Sequence, residues 1–298
     1  MRVLAALLSV YIFWGGTFLA ARFAIETIPP ASMTALRNII GGLLLYVFFF
    51  LKGRAQASWR EWRDAAVTGT LLLVTANAGM VWAQQFVSSG MAATLIGMTP
   101  VWLVLLDWLW KKGTRPNAWV TMGLLSGFVG IVFLVRHLAL SGDAQYLFGI
   151  CVVLAASFSW ALGSIYSRSA SQPNAPLLGV AMQMISGGTI LSLIALLSGQ
   201  WAQTDLSAVS MKSWIALLYL ILCGSFLGYA SYIWLLAHAP ISLVSTYAYV
   251  NPVVAVFVGW LLADEIFGVR EAVAALLILL AVVLITTGNA KNKAEEKS

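Results

Sequence analysis

The chain has 298 residues, of which 61% are hydrophobic and 9% are charged, and its mean hydropathy is +0.90. Soluble domains average roughly 25% charged residues, so this composition cannot cover a water-facing surface and indicates an integral membrane protein. The net charge of +6 is therefore evidence about membrane topology rather than about nucleic-acid binding.

Ten apolar segments follow one another along the chain, joined by short polar connections. Each is close to the roughly 20 residues that a helix needs to cross the hydrocarbon core. They lie at 3–23, 31–51, 64–86, 90–110, 118–136, 146–167, 176–197, 213–236, 240–262 and 269–288. The sequence therefore predicts an all-α integral membrane protein with ten transmembrane helices and a disordered tail at 291–298.

Lysine and arginine residues fall mainly on one side of the predicted spans. With the N-terminus inside, the cytoplasmic side holds Arg2, Lys52, Arg54, Arg60, Arg63, Lys111, Lys112, Arg115, Arg168, Lys291, Lys293 and Lys297. The other side holds Arg22, Arg136, Lys212 and Arg270. Because cytoplasmic loops carry the excess of positive charge, we expect a multi-pass protein of the inner (plasma) membrane with both termini in the cytoplasm.

The two halves of the chain share identities at nearly constant spacing. An offset of 146 residues pairs Trp14 with Trp160, Arg22 with Arg168, Pro30 with Pro176 and Gly41-Gly42 with Gly187-Gly188, and an offset of 152 then pairs Trp62 with Trp214, Trp82 with Trp234, Thr94 with Thr246, Pro100 with Pro252 and Trp108 with Trp260. Chance is the alternative in a chain rich in Trp and Gly. Repeats at 1–141 and 142–290 would hold five spans each, and an odd number makes the second repeat run in the opposite sense. Inverted repeats of this kind occur in transporters, which hold substrate between the halves.

Four stretches carry a family resemblance. They are FWGGTFLAARFAI in the first predicted helix, PPASMTALRNIIGGLLL in the second, SLVSTYAYVNPVVAVFVGWLLADE in the ninth and AALLILLAVVLITTG in the tenth. Through them the chain resembles, over essentially its whole length, the ten-helix EamA-type members of the drug/metabolite transporter superfamily. Within that superfamily it looks most like the YddG-type amino-acid exporters.

The resemblance implies a pseudo-twofold bundle around a central cavity. Helices 3, 4, 8 and 9, with parts of 1 and 6, would surround the cavity, helices 2 and 7 would support the gates, and helices 5 and 10 would be peripheral. The family often has a glutamate after helices 4 and 9. Glu265 matches the second of these positions, but Gly113 occupies the first, so we do not expect a symmetric role for these carboxylates.

Polar and aromatic side chains inside the apolar spans are the candidates for lining a substrate path, because polar groups are costly in hydrocarbon unless they are bonded or wet. The candidate substrate-binding residues are Trp14, Asn77, Thr94, Met98, Trp102, Trp160, Thr246, Tyr247, Tyr249 and Asn251. Pro100 and Pro252 interrupt the helical ladder and are predicted hinges. The alternatives are plain packing for the tryptophans, interhelical hydrogen bonding for Asn77 and a static kink at Pro252.

Two charged residues inside or near the spans need a role. Arg37 lies about two turns into the second helix, where it could snorkel outward, pair with Glu26, act in gating or bind a substrate carboxylate. Asp107 is one turn from Lys111 at the end of the fourth helix, and a solvated i,i+4 pair is the simpler interpretation. No Asp or Glu falls at mid-span, which favours facilitated transport or exchange over proton coupling.

The function that we expect is a secondary transporter, not an enzyme. It would export small organic metabolites, in particular amino acids including aromatic ones, by alternating access. We expect no cofactor and no metal, and as partners only the small-molecule substrate and the lipid bilayer, with no nucleic acid and a monomeric state. The alternatives are a broad-specificity drug or cation efflux carrier, which would favour a cavity carboxylate, a channel, or an intramembrane enzyme.

Overall fold

A computed structural model describes residues 2–110, 117–141, 143–239, 241–244, 246–264 and 268–295. Within these ranges the chain forms ten principal helices and two one-turn helices (Gln200–Gln203 and Ile241–Val244), and no β-strand. The principal helices are α1 (Arg2–Ala24), α2 (Pro30–Leu51), α3 (Trp59–Ala83), α4 in two pieces (Ser89–Ile96 and Thr99–Trp110), α5 (Ala118–Ser141), α6 (Ala144–Ser167), α7 (Pro176–Leu197), α8 (Met211–His238), α9 (Tyr247–Ala263) and α10 (Val269–Glu295).

Seven helices of the described ranges are long and apolar enough to cross a membrane. They are α1, α2, α3, α4 over Ser89–Leu106, α6, α7 and α8. The other three contain shorter apolar stretches, at Ala118–Gly130, Val250–Ala263 and Ala275–Ile285. The all-α membrane class is confirmed, whereas the count of ten spans stays a prediction.

Several helix ends differ from the sequence prediction, among them the start of α9, which lies at Tyr247 rather than at residue 240. α3 begins at Trp59, not at residue 64, because Ser58 and Glu61 form a capping box, in which each side chain accepts from the other's backbone N–H. α10 continues to Glu295, so residues 291–295 of the predicted disordered tail are helical. Ala, Lys and Glu are strong helix formers, and extending an existing helix needs no new nucleus.

Glycines set the closest approach between α2 and α7. A Cβ atom on Gly42 would lie 2.9 Å from the Ile185 backbone nitrogen, and a Cβ atom on Gly188 would lie 2.9 Å from the Ile39 backbone nitrogen. Small residues let helix backbones pack this closely. The 146-residue offset relates Ile39 to Ile185 and Gly42 to Gly188, so each of the two contacts is the repeat equivalent of the other.

Large apolar side chains cover the outside of the bundle. Phe50, Leu125, Leu197 and Leu276 are between 60% and 86% exposed. An apolar surface of this extent suits contact with lipid tails rather than with water. In the interior, α5 packs along α10, where a Cβ atom on Gly123 would meet the Ala281 carbonyl oxygen at 2.8 Å.

Three interior helices contain π-helical segments, at Val10–Trp14 in α1, Thr70–Ala78 in α3 and Leu220–Tyr229 in α8. In a π-helix the backbone bonds run from i to i+5, and such segments are rare and concentrate at functional sites. All three segments face the middle of the bundle, where they contribute side chains to one cavity.

Candidate functional site

A cavity of about 60 Å³ lies in the centre of the bundle. Seven helices contribute to its wall, namely α1, α2, α3, α4, α6, α8 and α9. The lining residues are Trp14, Thr17, Phe18, Arg37, Leu73, Ala76, Asn77, Met80, Ala93, Ile96, Gly97, Trp160, Ser225, Tyr229, Tyr247, Ala248, Asn251 and Pro252. About 10–15 Å³ of such space is enough for one water molecule, so the cavity has room for a few waters.

Five aromatic residues form a cluster on one side of the cavity: Trp14, Trp160, Tyr229 and Tyr247 line it, and Tyr232 packs against them. The ring of Trp14 lies 5.4 Å from that of Trp160, 5.1 Å from that of Tyr232 and 5.7 Å from that of Tyr247, measured between centroids. Edge-to-face pairs at such distances add stability beyond the area that they bury. Trp14 and Trp160, which the 146-residue offset relates, thus meet each other in the middle of the bundle.

The indole N–H groups of this aromatic cluster are bonded within the protein. Trp14 Nε1 donates to the Gly224 carbonyl oxygen at 3.0 Å, and Trp160 Nε1 donates to Tyr232 Oη at 3.1 Å. Gly228 lies directly under the Trp14 ring, since a Cβ atom there would be 2.3 Å from Trp14 Cδ1. Both tryptophans are therefore held by packing and by hydrogen bonds, as a rigid wall requires.

A polar group lies in the wall of the same cavity. Arg37 is 5% exposed, and its Nε donates to Ser225 Oγ at 3.1 Å while its Nη1 donates to Asn77 Oδ1 at 3.2 Å. The possible pair with Glu26 does not form, because Glu26 accepts from Lys212 at 2.6 Å. Arg37 has no carboxylate partner among the side chains that the structure describes.

Helix α9 brings two further polar features to the cavity. Tyr247 and Asn251 lie one turn apart, and both line it. Asn251 is 4% exposed, and its Oδ1 atom has no hydrogen-bond partner within the described part of the chain. Pro252 has no N–H, so the Ala248 carbonyl cannot receive its usual helical bond.

The two ends of the bundle are tied by different polar contacts. Where α3 begins and α6 ends, Asp64 accepts hydrogen bonds from Arg63, from Tyr166 Oη at 3.0 Å and from the Ser171 backbone N–H at 2.8 Å. Where α1 ends and α8 begins, the Glu26–Lys212 ion pair links the two helices. Each end of the bundle is therefore held by its own set of polar contacts.

The structure brings together about half of the residues predicted to bind substrate. Trp14, Asn77, Trp160, Tyr247 and Asn251 line the central cavity. The predicted hinge Pro252 and the charged residue Arg37 line it too.

Four predicted binding residues lie elsewhere. Trp102 packs edge-on against Phe158 at 5.6 Å, Met98 packs near Gly127, and Thr246 hydrogen-bonds Tyr11 Oη. Thr94 lines a separate apolar groove of about 490 Å³ between α4, α9 and α10. Thr94, Met98 and Trp102 belong to the α4 segment and Thr246 directly precedes α9. Both helices line the cavity, but these four side chains do not face it, which position along a helix alone did not reveal.

Four residues named in the sequence predictions lie wholly or partly outside the described part of the chain. The side chains of Asp107 and Tyr249 are outside it, and Gly113 and Glu265 are outside it entirely. The predicted hinge Pro100 is buried in the second piece of α4 and does not line the central cavity. Within the described ranges no group of three or more His, Cys, Asp or Glu side chains is arranged to hold a metal ion.

Ser225 and Tyr229 are the main lining residues that the sequence prediction missed. Each directly follows a glycine of the small-residue pair Gly224 and Gly228. That spacing indicates a close helix contact, and a polar side chain beside such a contact is the signal that could have identified them.

Comparisons with known proteins agree with this architecture. The profile of the EamA-like transporter family matches residues 1–136 and 147–287. The chain is 34% identical to the uncharacterized inner membrane transporter YedA of Escherichia coli (strain K12), over 97% of this chain and 92% of that protein. It is 25% identical to the uncharacterized transporter YoaV of Bacillus subtilis (strain 168), over 96% and 97% of the two chains. A solved crystal structure with 18% sequence identity shares the fold, with a TM-score of 0.65 over 96% of this chain and 97% of that one.

Proposed function

Because the chain belongs to the EamA-like transporter family, we propose that it is a secondary transporter that exports amino acids, including aromatic ones, across the inner membrane. The family places it among membrane transporters rather than enzymes. Its substrate class, the direction of transport and the alternating-access mechanism are the proposed part.

The central cavity is the observation that carries this proposal. It lies at the meeting of seven helices, and it has aromatic walls with a few polar groups. Ligand sites commonly have this composition, with an apolar lining and few placed polar groups. A cavity in mid-bundle, lined by helices of both halves of the chain, is also where an alternating-access carrier holds its substrate.

Two further features support alternating access. The Asp64 contacts and the Glu26–Lys212 ion pair lie at opposite ends, so one can break while the other holds. The reciprocal contacts of Gly42 and Gly188 are those that two inverted repeats would make. We therefore keep the two five-helix repeats, 1–141 and 142–290, and the cytoplasmic location of both termini as part of the proposal.

The competing hypothesis of a drug or cation efflux carrier has less support. A carrier of cations gains from a carboxylate in its cavity, because opposite charges offset the cost of desolvation. The charged side chain in this cavity is Arg37, a cation. A channel is likewise disfavoured, because the family and its named relatives are transporters.

Counterflow in proteoliposomes tests the proposal. The purified protein is reconstituted with unlabelled amino acid inside, and uptake of the radiolabelled amino acid is measured across a panel of aromatic, aliphatic and acidic amino acids. We expect the internal amino acid to accelerate uptake of at least the aromatic members. Equal rates with and without internal substrate would indicate a pore, and no uptake of any member would refute the amino-acid assignment.

A further inference from the structure

We propose that Arg37 recognises the carboxylate of the transported solute and that Asn251 recognises its ammonium group, so that the cavity selects zwitterionic amino acids over amines and over deaminated acids. This inference rests on the proposed function and names the chemical basis of its specificity. For Arg37, sequence reasoning left snorkelling, ion pairing, gating and carboxylate binding open, and this inference selects carboxylate binding.

Arg37 is a buried cation whose described partners are neutral. A guanidinium group has five N–H donors, and two of them are used, by Ser225 and Asn77. The acidic side chains with described bonds near the bundle ends, Glu26 and Asp64, are taken up by Lys212 and by Arg63. Arg37 thus keeps both donor capacity and an uncompensated charge at the cavity.

A bound carboxylate satisfies both of these needs at once. An uncompensated charge in a low-dielectric site is costly, and an anion with good geometry offsets that cost. The planar guanidinium fork matches two carboxylate oxygens. The absence of a side chain at Gly224 makes room for the guanidinium group of Arg37, since a Cβ atom on Gly224 would lie 3.0 Å from Arg37 Nη2.

The acceptors for the ammonium group are on α9. Asn251 Oδ1 is buried without a hydrogen-bond partner in the described part of the chain, and a buried acceptor left unpaired carries a desolvation cost. The Ala248 carbonyl, one turn earlier, lacks the N–H that residue 252 would supply if it were not proline. An ammonium group has three N–H donors, enough to bond both oxygens.

The two polar features have opposite preferences, and this is what makes the cavity selective. Arg37 on α2 prefers an anion, and the two α9 oxygens prefer a hydrogen-bond donor. The aromatic cluster between α1, α6 and α8 offers apolar surface for a side chain. A simple amine would bring a second positive charge beside Arg37, and a deaminated acid would leave Asn251 Oδ1 unpaired.

The test measures specificity with three matched solutes. For an amino acid that the wild-type protein transports in the counterflow assay, competition is compared between the amino acid, its carboxamide (no carboxylate) and its deaminated acid (no ammonium). In the wild type we expect the carboxamide and the deaminated acid each to compete about 10-fold to 100-fold more weakly than the amino acid, the range that follows from losing one charged hydrogen bond.

Substitutions assign each preference to its residue. Arg37→Gln should weaken competition by the amino acid while leaving the carboxamide unchanged, so that their ratio falls to about 3-fold or less, and Arg37→Lys should retain part of the ratio because it keeps the charge. Asn251→Ala should reduce only the preference over the deaminated acid. Arg54→Gln, which removes an exposed arginine in a connection, is the matched control and should keep wild-type ratios.

The outcomes separate this inference from the proposed function. If the wild type transports amino acids but accepts the carboxamide equally well, or if Arg37→Gln keeps the wild-type ratio, the recognition role of Arg37 is wrong and the transporter proposal stands. If the wild type transports only the carboxylate-free amines, the inference is overturned and a cation carrier is indicated. The competition measured on the wild-type protein can refute the inference by itself, so the test stays decisive even if a variant fails to fold.

Discussion

Replacing Gly228 with alanine should damage the aromatic wall of the cavity. A Cβ atom at this position would lie 2.3 Å from Trp14 Cδ1 and 2.4 Å from Trp14 Nε1, whereas carbon atoms in contact are roughly 3.5–4.0 Å apart. Relieving that overlap needs a movement of more than about 1 Å. The Trp14 ring cannot easily give way, because Trp160, Tyr232 and Tyr247 surround it.

The expected magnitude follows from two opposing terms. Overpacking a well-packed core typically lowers the free energy of unfolding by about 1–3 kcal/mol. Exchanging glycine for alanine within a helix raises it by up to about 1 kcal/mol. We therefore expect a net destabilisation of up to about 2 kcal/mol. We also expect weaker substrate binding, because the displaced ring moves into a cavity of only about 60 Å³.

Gly79→Ala is the matched control for this substitution. A Cβ atom on Gly79 of α3 would meet only Ala156 Cβ, at 3.9 Å, an ordinary contact. This variant should match or exceed the wild type in stability. Trp14→Phe combined with Gly228→Ala should recover part of the lost stability, because the smaller ring vacates the space, and the coupling between the two changes should be measurable.

The measurements are thermal unfolding of the purified protein in detergent and counterflow in liposomes. If Gly228→Ala unfolds at the wild-type temperature and transports with wild-type affinity, Trp14 does not rest on α8 as described. Equal destabilisation by Gly79→Ala would show that glycine replacement in these helices is harmful for some reason other than the Trp14 contact.

Four further predictions concern topology, coupling and the α9 stretch. Cysteine tags at Ser89 and Lys112 should be labelled from opposite sides of the membrane, because the charge bias places one on each side; labelling from the same side would contradict the five-plus-five arrangement. Transport should depend little on an imposed proton gradient, and Asp107→Asn should keep substantial activity; strong uphill accumulation that this substitution abolishes would contradict facilitated transport or exchange. Tyr247→Ala should weaken substrate binding in a counterflow titration while the protein stays monodisperse, since the ring forms part of the wall; unchanged affinity would remove this residue from the site. Pro252→Ala should slow turnover more than it weakens binding, because the new N–H can bond the Ala248 carbonyl and straighten the helix; an unchanged rate would leave the proline as a static kink.

Half of the predicted binding residues could be identified from the sequence of each helix taken alone. Trp14, Asn77, Trp160, Tyr247 and Asn251 are polar or large aromatic residues in apolar spans, and such residues need a partner or a cavity wherever the helix lies. That requirement is a property of the residue and the membrane, so it can be stated before the helices are assembled.

The choice among partners could not be predicted in the same way. Glu26 was a possible counter-ion for Arg37, but it pairs with Lys212 at 2.6 Å, which is 186 residues away in the chain. Thr94 and Trp102 met the same criterion as the cavity residues, yet they face other neighbours. Such outcomes depend on the rotation of each helix about its axis, and that rotation is set by contacts with several other helices at once.

The sequence by itself determined that this protein lies in a membrane. Composition, span length and the placement of Lys and Arg reflect what the lipid bilayer requires of any chain that crosses it, whatever the fold. It also determined that the ninth helix carries polar groups and a proline in an apolar setting. Only the tertiary structure decided which features meet at one cavity. These are three π-helical segments, a buried Arg37 with neutral described partners, and an Asn251 Oδ1 atom without a partner in the described part of the chain. The physical reason is that close packing between helices far apart in the chain, such as Gly42 against Ile185, fixes which faces turn inward, and no local pattern contains that information.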